Sequence, residues 1–178
     1  MTKTLTAASV LVLAACATPQ PVEVPANLKP AANESLAMIV PAKGVQIYEC
    51  RVGNDGSAQW TFVAPEAALF DARSNTMGEH GAGPYWQAKD GSRIVGTLKQ
   101  RVDAPVAGAI PWLLLTTKSD GPTGSFSRVT SIQRVSTIGG VAPTTGCSTT
   151  TVGTTARVPY AADYYFFTDN TRAFNPTI

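Results

Sequence analysis

The chain has 178 residues, 44% of them hydrophobic and 15% charged, which suits one globular core and is short for two. Its net charge of +2 is too small a balance to argue for nucleic acid or for an electrostatic membrane patch. The 13 prolines and 15 glycines point to many turns and short strands rather than long helices.

The N-terminus carries the strongest signal. Lys3 precedes an apolar run, Leu5 to Ala15, of the length expected for a signal-peptide core. A membrane-spanning helix needs roughly 20 apolar residues, so the run is too short to span. It ends Leu13-Ala14-Ala15-Cys16, which resembles a bacterial lipoprotein box. In that class residues 1–15 are removed and the cysteine is acylated at its thiol and new amino group, palmitate being one label for this. The alternative is an ordinary signal peptide whose boundary includes a cysteine. Cleavage removes Lys3 and no acid, leaving 13 basic and 12 acidic residues. Several acyl chains, at about 0.8 kcal/mol per buried CH₂, make a stable anchor. Ala17 rather than Asp after the cysteine implies, by resemblance to lipoprotein sorting, the outer membrane with the domain in the periplasm.

With Cys16 as the anchor, Cys50 and Cys147 remain as a pair in an oxidising compartment. A bridge between them closes a loop of roughly a hundred residues, for which the chain-entropy model gives about 4 to 5 kcal/mol. A redox-active or metal-binding pair is the alternative, disfavoured by the absence of CxxC spacing and by a single histidine.

Residues 16–34 are expected to form the anchor and a tether. Prolines at 19, 21, 25 and 30 favour an extended spacer reaching up to roughly 50 Å at about 3.1 Å per residue. Residues 35–178 then form one domain. Leu36 to Val40 is a short apolar run. Val45 to Arg51 and Ala58 to Val63 alternate around Asn54-Asp55-Gly56-Ser57 and read as a hairpin. Pro65 to Asp71 has helical character for a turn or two, with proline at a plausible first position. Arg73 to Gly83 has no period and reads as a loop. Pro84 to Ala88 and Arg93 to Val102 flank Asp90-Gly91, a two-residue hairpin signal. Ile110 to Thr117 is apolar on both faces, which suits a strand covered on both sides, with Pro111 near its start. Arg128 to Ser136 alternates imperfectly. Ala142 to Thr155 is Thr-rich and offers weak edge-strand material around Cys147. Tyr160 to Thr168 reads as a buried aromatic strand. About eight short strands with little helix predict an all-β antiparallel sandwich or barrel.

Several phrases, GVQIYEC from Gly44, PEAAL from Pro65, HGAGPYW from His80, DGS from Asp90, IPWLLL from Ile110, IQR from Ile132 and Gly139-Gly140 with Cys147, resemble a bacterial and fungal secreted family, domain of unknown function 3455. The resemblance covers roughly Val40 to Thr168 and implies no established activity. Some fungal relatives are called malate dehydrogenases. This sequence has no GxGxxG after a strand and no βαβ pattern to support that.

Candidate chemistry centres on Gly78 to Ser92, which holds the single histidine, His80. His80 is the candidate general base, with Glu79, Glu66, Asp71 or Asp163 as possible orienting carboxylates. Its bland counterpart is a loop histidine bonded to a backbone carbonyl. No zinc spacing is present, and Asn54-Asp55-Gly56 and Ser119-Asp120-Gly121 read as turns before calcium sites. No nucleophile elbow occurs, and nothing calls for a cofactor. Tyr85 and Trp86, with Trp60, Trp112 and Tyr165, are rings that suit an amphipathic ligand. Gln46, Gln133 and Arg134 supply polar grips. Trp60 and Trp112 are more readily read as core.

Together these predict an envelope lipoprotein, anchored to the membrane through Cys16, whose β-domain binds a small molecule or an envelope component. A small secreted hydrolase or isomerase with His80 as base, and a structural protein without a pocket, are the alternatives. A carboxylate partner for His80 is what separates the first two.

Overall fold

Period-two alternation of large apolar residues with smaller or polar ones needs a curved sheet with one dry face, and closing that sheet removes its edges. The computed structural model describes residues 21–171. In it eight antiparallel strands follow one another around a closed barrel. They are β1 (Glu34–Val52), β2 (Ala58–Phe70), β3 (Thr76–Gly81), β4 (Tyr85–Ala88), β5 (Arg93–Val102), β6 (Trp112–Ser119), β7 (Val129–Gly139) and β8 (Thr155–Asp169). Strand β1 closes the barrel by pairing with β8 from Glu34↔Asp169 to Glu49↔Thr155. Bulges interrupt β1 at Ile47/Tyr48 and β7 at Val135/Ile138; such bulges increase local twist and help a sheet to close. The all-β expectation holds, and its barrel form is the observed one.

One end of the barrel is solid. Val40, Leu69, Ile94, Phe126, Ile132 and Phe166 are fully buried there. Phe126 and Phe166 meet edge to face at 4.9 Å between ring centroids, a favoured aromatic geometry. Phe126 comes from the β6–β7 loop, which the β4–β5 turn pins in place. Asp90 Oδ2 accepts from the Ser125 N–H and hydroxyl at 2.7 and 2.6 Å, while the Phe126 N–H donates to Ser92 Oγ at 3.0 Å. The hydroxyls of Ser125 and Ser92 hold the Asp90 carboxyl well below the usual carboxylate range.

A second apolar cluster lies outside the barrel wall: Leu28, Trp112, Leu114, Val135, Tyr165 and Phe167. It explains why β6 is apolar on both faces. Residues 21–33, within the expected tether, cover it. They include a 3₁₀ turn at Ala26–Leu28; the Val22 N–H donates to the Tyr165 hydroxyl and Gln133 Nε2 donates to the Leu28 carbonyl. This stretch is wall rather than spacer, because Leu28 is fully buried. Cys16 and the apolar run before it lie outside the described residues.

Three sequence expectations give way to sheet pairing. Pro65 to Phe70 is strand, not helix: Ala67 and Leu69 point inward and the segment pairs with β1 and then β3. A helix of one or two turns is marginal in water, and two ladders outweigh it. Within the expected loop 73–83, Thr76–Gly81 is β3. Its period is hidden because Gly78 is an inward position, where a Cβ would collide with the Gln87 carbonyl. Ala142 to Thr154 forms no strand; it is a loop tied to β1 by the Cys50–Cys147 disulfide, with a Cα–Cα distance of 5.3 Å and a sequence separation of 97.

Candidate functional site

The other end of the barrel is hollow, and strand lengths explain why. Strands β3 and β4 are short. β2 pairs with β3 only over Ala67 to Phe70, and β4 pairs with β5 only over Tyr85 to Gln87. The first half of β2 and the second half of β5 therefore each pair on one side only, with β1 and β6. A gap in the wall lies between them, rimmed by Phe62, Val63 and Leu98, which are 51%, 43% and 56% exposed.

Behind the gap is a cavity of about 330 Å³ lined by Phe62, Pro65, His80, Trp86, Leu115 and Tyr164 among others. A second hollow of about 350 Å³ adjoins Gln46, Tyr48, Leu98, Arg101 and Ile110. The two share Phe62, Leu113 and Arg134. Their sizes fall in the range of small-molecule sites, and eight-stranded barrels have interiors just wide enough to be filled or to hold one small ligand.

Trp86 is the floor, 1% exposed. Its ring lies over Gly96, where a Cβ would come within 2.8 Å of the indole. That close approach requires glycine. His80 stacks on Trp86 at 4.4 Å and meets Tyr164 edge on at 5.1 Å. Its Nδ1 lies 2.7 Å from the Tyr85 carbonyl. A carbonyl only accepts, so Nδ1 carries the proton and Nε2 keeps a lone pair. Burial pushes the His80 pKa down to about 3, assisted by the Arg134 charge and opposed by the Tyr85 hydrogen bond. His80 is thus a neutral acceptor near pH 7.

The carboxylates expected to orient His80 are engaged elsewhere. Glu79 accepts from the Tyr85 hydroxyl, Glu66 pairs with Arg157, Asp71 holds its own turn through Asn75, and Asp163 lies on the outward face of β8 between its pairing partners Pro41 and Val135.

Arg134 points inward from β7, paired with Leu113 and Tyr164 on its neighbours. Its Nε and Nη2 donate to the Pro111 carbonyl at 3.1 and 2.8 Å. Burial raises the Tyr164 pKa, and the Arg134 charge opposes this. Tyr48 donates to the Gly140 carbonyl at 2.6 Å, bridging the rim. Gln46 is 2% exposed and its Nε2 has no hydrogen-bond partner among the described residues; the same holds for Trp86 Nε1.

Of the residues singled out from sequence, His80, Trp86, Gln46 and Arg134 come together around the cavity. Tyr85 and Gln133 do not. Each is adjacent in sequence to a cavity residue, and alternation sends it to the opposite face. Tyr85 lies outside under the Arg93 guanidinium, 4.4 Å from its ring centroid, and Gln133 serves the N-terminal segment. Trp60 is neither core nor cleft: half-buried, it donates to the Thr145 carbonyl at 2.8 Å and braces the Cys147 loop. Trp112 and Tyr165 belong to the outer cluster. Sequence reasoning missed Tyr164, Leu113, Leu115, Phe62 and Arg101. The parity that puts Arg134 inside also selects Leu113, Leu115 and Tyr164.

Fold and site together define a single barrel with one solid end and a side-opening cavity. The chain belongs to the family described as a protein of unknown function, DUF3455, whose model matches residues 30–168. No curated protein matches the chain, and no solved structure does.

Proposed function

We propose that this chain is a lipid-anchored bacterial envelope protein whose barrel holds a small, largely apolar ligand. The observation that carries this is the cavity of about 330 Å³ between Trp86 and Arg134, entered through the gap between β2 and β5. Aliphatic and aromatic walls supply apolar contact and a few buried polar groups supply orientation, the usual make-up of a ligand pocket. General-base catalysis by His80 has less support. An imidazole with a pKa of about 3 is a weak base, and a carbonyl holds its Nδ1.

The envelope assignment rests on the apolar run ending Leu13-Ala14-Ala15-Cys16 and on the Cys50–Cys147 disulfide, which suits an oxidising compartment. Cys16 is then the site of acylation, the outer membrane the favoured address, and the periplasm the compartment of the domain.

Titration with a neutral apolar fluorophore, N-phenyl-1-naphthylamine, tests the cavity. Fluorescence should rise with the wild-type protein and fail to rise with Leu113→Trp, which fills the space. Equal signals from both, or none from the wild type, would refute the reading. Labelled palmitate should appear on the protein and be lost in Cys16→Ser; its absence from the wild type would remove the anchor.

A further inference from the structure

The walls of the two hollows contain arginine and no carboxylate. Arg51, Arg93 and Arg157 are held by carboxylates, whereas Arg134 is held by a backbone carbonyl. Arg134 is part-buried, and a guanidinium that faces a largely apolar cavity without a counter-charge gains from an anion brought against it. Of its five N–H groups, the Pro111 carbonyl takes the Nε one and one on Nη2, and the guanidinium also faces the Tyr164 hydroxyl, which leaves further N–H groups for a ligand. On the same cavity wall, Gln46 Nε2 is buried beside the Tyr160 hydroxyl and makes no hydrogen bond of full geometry. Aliphatic and aromatic surface surrounds these donors: Phe62, Leu98, Leu113 and Ile110.

We infer that the ligand is an amphipathic monoanion, an alkyl carboxylate whose head group lies against Arg134 and Gln46 and whose tail lies along Phe62 and Leu113 toward the gap between β2 and β5. This rests on the ligand-binding reading above and gives it a chemical class. One inward guanidinium balances one negative charge. The second arginine of the cavity, Arg101, is solvent-exposed and already hydrated, so a dianion gains less there. A planar carboxylate presents two oxygens, which fit a guanidinium edge and a neighbouring amide donor.

Four ten-carbon probes with different head groups test this on the mature chain from residue 16 carrying Cys16→Ser, by calorimetric titration at pH 7.4. Decanoate should bind at least about tenfold more tightly than decanol, the loss expected when one charge-assisted hydrogen bond of about 1.5 kcal/mol goes. Decyltrimethylammonium should not compete with decanoate, and decyl phosphate should bind no more tightly than it. Arg134→Met should reduce decanoate affinity at least about tenfold and decanol affinity by a smaller factor. Because Arg134 also holds Pro111, Gln46→Leu serves as a second variant. It should weaken decanoate more than decanol.

Equal binding of decanoate and decanol by the wild type would overturn the anion inference while leaving the cavity as a binding site. Tighter binding of decyl phosphate would overturn the carboxylate assignment. Failure of all four probes and of the neutral fluorophore would overturn both the inference and the reading beneath it.

Discussion

The two ends of this barrel are built from the same eight strands with the same alternation, yet one is solid and the other hollow. At the solid end large apolar side chains such as Val40, Leu69, Ile94, Ile132 and Phe166 fill the interior around smaller alanines, and the β6–β7 loop adds Phe126 as a plug. At the hollow end the inward places hold Gln46, Tyr48, His80 and Arg134, whose polar atoms need partners and therefore pack less closely. The short β3 and β4 also withhold wall from that end. The difference teaches that a closed sheet does not imply a closed core: hairpin length sets where the wall stops, and inward polarity sets where the filling stops.

The largest expected effect concerns the staple of the hollow end. Cys50→Ser should lower stability by about 4 to 5 kcal/mol in the chain-entropy picture and leave Cys147 titratable with a thiol reagent. Two reactive thiols in the untreated mature protein would show that the end stands without the bridge. At the solid end, Phe166→Ala should cost about 3 to 5 kcal/mol in denaturant unfolding, as for other fully buried aromatics.

Next comes a pH effect from the boundary between the two ends. The folded His80 pKa of about 3 lies below its ordinary 6.5. As pH falls through 6.5 the unfolded chain takes up a proton and the folded one does not. Stability is therefore complete above that pH and declines as pH drops toward 3, by on the order of 2 kcal/mol between pH 7 and 5. His80→Asn should flatten this slope, and a slope that survives in the variant would assign it to other groups. The smallest effect is at the rim. Phe62→Ala, at a half-exposed side chain, should change stability by no more than about 0.5 kcal/mol while weakening uptake of the neutral fluorophore. A loss as large as that of Phe166→Ala would erase the contrast between the ends.

Much of the fold was legible from local pattern. The Asn54-Asp55-Gly56 and Asp90-Gly91 turns join the strands they were expected to join, and β6 reads as covered on both faces because Leu113 and Leu115 line the interior while Trp112 and Leu114 face the outer cluster. Closure was not legible, since the β1–β8 ladder joins residues more than a hundred positions apart and leaves no local trace. The site was half legible. Residue type identified His80, Trp86, Gln46 and Arg134, but one-residue parity separates Arg134 from Gln133 and Trp86 from Tyr85, and bulges in β1 and β7 blur that parity. Glycine at Gly78 concealed β3 for the same reason that it fits there.

The Cys50–Cys147 bridge has a mechanical side. It ties the C-terminal end of β1 to the β7–β8 loop, and β1, β8 and β7 are paired along most of their length, so this third of the circumference is stiff. On the opposite side the facing margins of β2 and β5 share no ladder. Spreading them apart breaks no interstrand hydrogen bond, whereas widening the barrel anywhere else breaks several. Breathing is thereby confined to one seam, and the width of that seam, rather than the volume behind it, sets how bulky a molecule can pass.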